Sequence, residues 1–192
     1  TGSSAQRLAL PHSAPWVLTA FSFLAAIKIT NGRANHVWGR GSSWTNAGLY
    51  LDGFVENTTY QTVYFHTSYA TRWSSVPKPD NTSSTWFVVA GIADGTKLEL
   101  YVNRQSVSRI LQSQTINFGT SSLTLFADGS GSGMYNMTGA AREFAFWDTA
   151  LNGAEMQTEI DAAMTRWGIT NTVTPPASAV RPTHPMQSQV IG

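Results

Sequence analysis

The sequence predicts an all-β protein, an antiparallel two-sheet sandwich with one short C-terminal helix and an extended tail. Short runs of alternating apolar and polar residues are typical of half-buried strands, and Gly, Asn, Ser and Asp clusters separate them. Only one segment has helical spacing. The chain has 192 residues, of which 42% are hydrophobic and 11% aromatic. This length and composition are sufficient for a single domain with a substantial core.

The longest alternating run predicts a strand whose inward face carries the odd-numbered residues from Phe21 to Ile29. The segment 86–92 is apolar almost throughout, which is typical of a central strand covered on both faces. The same alternation recurs at Leu49 and Leu51, Val63 and Phe65, Leu98 to Val102, Leu123 and Leu125, and Phe144 and Phe146. Turn signals, among them Asp94-Gly95, lie between these runs.

The segment that follows Asn152 predicts an amphipathic helix near residues 153–167. Asn152 and Glu155 have the spacing of a capping box, and Gly168 suits the left-handed position after the last turn. Apolar residues follow at helical spacing: Met156, Ile160, Met164 and Trp167.

Residues 170–192 have the composition of a tail, so we predict a domain over 1–169 and an extended arm over 170–192. Four prolines favour polyproline-II geometry, which lowers the entropy lost when a segment docks on a partner. The sparse apolar residues of this segment are the candidate anchors on other protein subunits: Val173, Val180, Met186, Val190 and Ile191.

The charge content argues against several partners. Charged residues make up 12% of the chain and the formal net charge is +1, so we expect neither nucleic acid nor a membrane as a partner. The chain contains no cysteine, which excludes disulfides, thiol nucleophiles and thiolate metal sites.

Three segments together resemble the laminin-G-like group of concanavalin A-like jelly rolls. They are 21–28 (FSFLAAIK), 85–103 (TWFVVAGIADGTKLELYVN) and 139–155 (GAAREFAFWDTALNGAE), and 2–11 is similar to the opening strand of that group. The resemblance implies a jelly-roll fold over 1–169 with Trp86 as a core anchor. Arg104 departs from the family pattern, in which glycine follows Asn103. Members bind sugars, mediate adhesion, accompany enzymes or form parts of virus particles, so fold alone does not select a function.

The acidic residues do not form the pair that a jelly-roll glycosidase needs. Glu99 is isolated, and the odd interval between Glu143 and Asp148 places them on opposite faces of a regular strand. The four histidines lack the spacing of a metal site. We therefore expect no catalysis and no cofactor, with one exception left open: Asp128 is a weak candidate ligand for Ca²⁺, and the alternative for it is a simple Asp-Gly turn.

Aromatic residues in polar, Gly- and Ser-rich surroundings are the candidate ligand-binding residues, because a ring at a sandwich rim can stack on a sugar. The alternative for each is packing within the sandwich. The candidates are Trp38, Trp44, Tyr50, Tyr69 and Trp73.

Two non-catalytic functions are favoured over a third, a lyase or hydrolase on the same fold, for which the sequence offers no catalytic constellation. The first is a structural surface module, of the decoration or fibre type, on a phage or virus particle, with the tail bound to other subunits. The surface lattice of such a particle tolerates a charge-poor module without catalytic residues. The alternative is a secreted bacterial carbohydrate-binding domain that recognises surface glycans. The predicted location is accordingly a virion surface or the extracellular space.

Overall fold

The structure, a computed structural model, describes residues 8–10, 20–29, 35–40, 48–52, 62–66, 73–77, 85–110, 123–126 and 139–170. Within these ranges, side chains are described for residues 20–29, 37–38, 85–106, 125–126 and 139–170. The strands are β1 (Leu8–Leu10), β2 (Phe21–Ile29), β3 (Asn35–Arg40), β4 (Gly48–Asp52), β5 (Thr62–His66), β6 (Trp73–Pro77), β7 (Trp86–Ala93), β8 (Lys97–Val102), β9 (Gln105–Ile110), β10 (Leu123–Leu125) and β11 (Gly139–Trp147), and the helix α1 is Gly153–Trp167.

The strands form two antiparallel sheets, which confirms the predicted sandwich. One sheet has six strands in the order β1-β10-β3-β4-β5-β6, and the other has five in the order β11-β2-β7-β8-β9. No helix among the described residues has the length and apolar character that a membrane span requires.

The core between the sheets follows the alternation of the sequence. The odd-numbered residues of β2 lie in this core, as predicted, together with Phe87 and Val89 of β7. Trp38 and Leu125 contribute from the six-stranded sheet. Because successive residues of a strand lie on opposite faces, the even-numbered residues of β2 and β7 are left for the outer side of their sheet.

The helix covers that outer side and builds a second apolar cluster. Leu24, Val88 and Ala90 of the sheet pack there with Met156 and Ile160 of α1. Strand β7 lies between β2 and β8 and is buried on both faces, as its continuous apolar run predicts. The five-stranded sheet is therefore the middle layer of the described structure, between the six-stranded sheet and α1.

Local signals in the sequence define both ends of the helix. The Asn152 side chain accepts hydrogen bonds from the backbone N–H groups of Ala154 and Glu155, and the Glu155 carboxylate accepts one from the Asn152 N–H. Gly168 has a φ of 61°, in the left-handed region, and its N–H and that of Ile169 close the last turn. The predicted capping box and C-terminal glycine are both present.

Trp86, which the resemblance implies as a core anchor, does not lie in the core between the sheets. It is partly buried, and it packs against the cluster beneath the helix. The reason is its parity in β7: Phe87 and Val89 face the six-stranded sheet, so Trp86 and Val88 lie on the other side.

The β8–β9 turn accommodates Arg104 at the position where the family pattern has glycine. Asn103 itself has a φ of 51°, a left-handed conformation that asparagine tolerates, so glycine is not required after it. Its buried side-chain carbonyl oxygen accepts a hydrogen bond of 2.8 Å from the Val88 N–H. Arg104 instead pairs with Asp161 of α1, with 2.8 Å between Nε and Oδ1.

Candidate functional site

The register of the six-stranded sheet distinguishes its two faces. Trp38 is paired with Leu49 and with Leu125, and Leu49 is paired with Phe65. Trp38 and Leu125 lie in the core between the sheets, and register partners occupy the same face of a sheet. Leu49 and Phe65 are therefore on the inward face, as their alternation predicts.

The neighbouring residues of the same strands lie on the outward face. Tyr50 of β4 is paired with Tyr64 of β5, and His66 of β5 is paired with Trp73 of β6. Tyr64 and His66 are two residues apart and so share a face. We call these four residues, Tyr50, Tyr64, His66 and Trp73, the outer aromatic face.

The dimensions of this face follow from strand geometry. Tyr50 and Tyr64 are direct cross-strand neighbours, whereas Tyr50 and Trp73 are separated by two strand spacings, roughly 10 Å across the sheet. Along the strands they are offset by two residues, or about 7 Å. The described helix packs on the other sheet, so within the described ranges no helix lies over this face.

Of the predicted binding residues, the structure brings Tyr50 and Trp73 to one face. It adds Tyr64 and His66, which were not among the predicted binding residues. The signal for both is the alternation of β5: Val63 and Phe65 share one face, so Tyr64 and His66 lie on the opposite one.

Trp38, in contrast, is a core residue and not a rim residue. It is fully buried, and its ring lies 5.8 Å from that of Phe21, 5.4 Å from Phe23 and 6.1 Å from Phe146, measured between centroids. Its Gly- and Ser-rich surroundings suggested a surface position. A register shift between His36 and Trp38 instead allows Val37 and Trp38 both to be buried, as expected of a β-bulge.

The remaining predicted site residues lie outside the described residues. They are Trp44, Tyr69 and the calcium candidate Asp128, together with the arm residues Val173, Val180, Met186, Val190 and Ile191. Their roles stay predictions, as does the domain boundary after residue 169. Among the side chains that the structure describes, no three His, Asp or Glu residues come together as a metal site would require.

Two carboxylates of the five-stranded sheet, those of Glu143 and Glu99, form hydrogen bonds and ion pairs with neighbouring side chains. Glu143 accepts hydrogen bonds from Arg166 Nη1, at 2.6 Å, and from Trp167 Nε1, at 2.7 Å. Glu99 pairs with Lys97 at 3.4 Å. Burial, and then the hydrogen bond to Glu99, raise the pKa of Tyr101, which keeps this phenol protonated.

Comparison with known proteins agrees with this architecture. The family model described as "Concanavalin A-like lectin/glucanases superfamily" matches residues 2–157. No curated protein sequence matches the chain.

Solved structures share the fold at low sequence identity. A heptameric SAP-like pentraxin from Limulus polyphemus has a TM-score of 0.59 at 15% identity, over 80% of this chain and 74% of the pentraxin. The CBM40 of a Ruminococcus gnavus IT-sialidase has a TM-score of 0.52 at 13% identity, over 76% of this chain and 84% of that module. The binding domain of botulinum neurotoxin DC, solved in complex with SialylT, has a TM-score of 0.55 at 12% identity, over 77% of this chain but 36% of that one. With a match over most of its length, the chain belongs to the concanavalin A-like lectin/glucanase superfamily.

Proposed function

We propose that the protein is a non-catalytic carbohydrate-binding module whose ligand lies on the outer aromatic face. The observation that carries this proposal is the register, which gathers Tyr50, Tyr64, His66 and Trp73 on three adjacent strands. A sheet that needed only a solvated face would not require large aromatic residues there.

The residue types of this face suit a sugar. Tyrosine and tryptophan have apolar rings that stack on the C–H groups of a sugar, and their hydroxyl and indole N–H groups reach its hydroxyls. Histidine adds a donor and an acceptor in its neutral form. The CBM40 of the sialidase and the neurotoxin binding domain in complex with SialylT share the fold, which supports glycans as the class of ligand.

The contacts of Glu143 and Glu99 support the non-catalytic part of the proposal. A glycosidase needs one carboxylate as acid and a second as base or nucleophile, both directed at the substrate. Glu143 is held by Arg166 and Trp167, and Glu99 by Lys97 and Tyr101. We accordingly expect that any glycan that binds is recovered uncleaved.

We expect the Trp73→Ala variant to lose glycan binding. Truncation of a large aromatic residue at the centre of a binding site typically weakens affinity by at least about 30-fold. A glycan array with the wild type identifies the ligand, and isothermal calorimetry with that ligand then compares Trp73→Ala and Tyr64→Ala with the wild type.

The matched control is Trp147→Ala, which removes a partly buried indole at the end of β11 on the other sheet. It should retain the affinity of the wild type under conditions where the variant is folded, as judged by circular dichroism. A wild type that retains no glycan, or a Trp73→Ala variant that binds like the wild type, would contradict the proposal.

As a second candidate we propose a role on the surface of a phage or virus particle, with residues 170–192 as a docking arm. The supporting observation is the sequence of this segment, with prolines at 175, 176, 182 and 185 and apolar residues between them. About 20 extended residues would reach roughly 60–70 Å, far enough to contact a neighbouring subunit.

Removal of residues 171–192 should leave the sandwich folded but abolish its assembly. The helix keeps its own C-terminal cap at Gly168 and its buried Ile169, so the melting temperature should change little. Sedimentation velocity of the full chain and of the truncated chain measures the assembly. A full chain that sediments as a monomer, or a truncated chain that forms the same oligomer, would refute the docking arm.

A further inference from the structure

A second group of aromatic and basic side chains lies on the opposite side of the molecule, where α1 ends over the five-stranded sheet. It consists of Lys28 on β2, its register partner Trp86 on β7, Arg142 on β11 and Trp167 at the end of α1. We call these four residues the aromatic–basic cluster. Lys28, Trp86 and Trp167 are partly buried, and Arg142 is exposed.

The guanidinium of Arg142 is held in place by its neighbours. Its Cζ atom lies 4.1 Å from the centroid of the Trp86 ring and 5.5 Å from that of Trp167. Its Nη1 donates a hydrogen bond of 2.9 Å to the Trp167 carbonyl oxygen. Arg142 occupies the register shift between Ala141 and Glu143, and such a bulge redirects the side chain of the extra residue. A guanidinium has five N–H donors, so this arrangement orients the group and leaves most of its donors available.

Two cations of this cluster have no counter-anion among the side chains that the structure describes. Lys28 Nζ lies 5.4 Å from the Trp86 ring centroid, and neither Lys28 nor Arg142 forms an ion pair with a described residue. Every other Lys or Arg side chain that the structure describes is paired: Lys97 with Glu99, Arg104 with Asp161 and Arg166 with Glu143. Glu143, the acid next to Arg142 in sequence, is already bound by Arg166 and the Trp167 indole.

We propose that the aromatic–basic cluster binds the carboxylate or sulfate group of an acidic polysaccharide. A planar guanidinium suits bidentate binding of an oxyanion, the Lys28 ammonium adds a second charge, and Trp86 and Trp167 offer apolar surface to the sugar ring. A nucleic acid, whose backbone is a chain of phosphates, would require more basic residues than the two cations of this cluster. The net charge of the whole chain is only +1. This site is separate from the outer aromatic face, because it lies on the other sheet.

The experiment is a titration of the ¹⁵N-labelled full chain, monitored by the indole N–H signals of its tryptophans. The carboxylate probe is an oligogalacturonate of about eight sugars, and its neutral control is the same oligosaccharide with every carboxylate methylated as an ester. The sulfate probe is dextran sulfate, with unsulfated dextran as its control. We expect the Trp86 and Trp167 signals, assigned by Trp→Phe variants, to shift with one or both charged probes and with neither neutral one. The probe that binds identifies the anion.

Variants separate binding from structure. Lys28→Gln and Arg142→Lys should each weaken binding at least about tenfold. The first removes a charge-assisted contact, and the second keeps the charge but removes the bidentate geometry of the guanidinium. The matched controls are Lys97→Gln and Arg104→Ala, which lie outside the cluster and should bind like the wild type. The proposal is wrong if the indole N–H signals of Trp86 and Trp167 shift with neither charged probe, or if the Lys28→Gln variant binds the charged probe like the wild type. If carboxylate is the anion, it is also wrong if the methyl-esterified oligosaccharide binds as well as the oligogalacturonate. Equal or tighter binding of poly(U) RNA or phosphatidylserine vesicles would also overturn it. The proposed glycan site on the outer aromatic face is tested separately, because Trp73→Ala should leave these titrations unchanged.

Discussion

Replacement of Trp38 by alanine should lower the free energy of unfolding by about 3–5 kcal/mol, the range for deletion of a large buried aromatic side chain. Trp38 is fully buried and its ring contacts three others, those of Phe21, Phe23 and Phe146. Two of these rings belong to β2 and one to β11, so the indole connects the six-stranded sheet to two strands of the other. The cavity left by alanine would lie between the sheets, where surrounding strands cannot readily collapse into it.

Urea denaturation followed by circular dichroism measures this loss. The matched control is Trp86→Ala, which removes the same side chain from a partly buried position beneath the helix and should cost clearly less. A loss at Trp86 as large as that at Trp38 would show that the second apolar cluster contributes as much as the core between the sheets. The resemblance implies Trp86 as a core anchor, but its partly buried position makes the smaller loss the expected one.

Replacement of Gly139 by alanine should destabilise the pairing of β11 with β2 by about 1–3 kcal/mol, as overpacking does in a tight site. A Cβ atom on Gly139 would lie 1.9 Å from the Lys28 carbonyl oxygen and 2.9 Å from its carbonyl carbon. These are backbone atoms of the neighbouring strand, so a side-chain rotation cannot relieve the contact. The strands must separate at this end, where Gly139 is paired with Ile29.

Thermal denaturation and amide hydrogen exchange at the 139 end of β11 test this prediction together. The control is Gly153→Ala at the start of α1, where a Cβ atom would meet only the Tyr101 hydroxyl at 3.4 Å, an ordinary contact. Alanine there should be neutral or stabilise the protein by up to about 1 kcal/mol, since it reduces the freedom of the unfolded chain. If Gly139→Ala melts with the wild type and its amides exchange no faster, the close approach of the two strands is not as tight as described.

Local patterns in the sequence predicted several strands and the helix of this protein, although not β3, β6 or β9. The alternation of β2 predicted which residues enter the core, and Asn152, Glu155 and Gly168 predicted both ends of the helix. These signals are local because strand alternation, capping boxes and left-handed glycines each depend on a few neighbouring residues. The hairpin of β7 and β8 was equally readable, since it also joins residues close in sequence.

Only the tertiary structure decided which of the aromatic residues share a surface. Tyr50 and Trp73 share one face because β5 pairs in register with both β4 and β6, and alternation within one strand does not specify that register. The bulges before Trp38 and at Arg142 likewise depend on how each strand pairs with its neighbours. One extra residue reverses the parity of a strand, and pairing with the neighbouring strands places Trp38 in the core and Arg142 against Trp86.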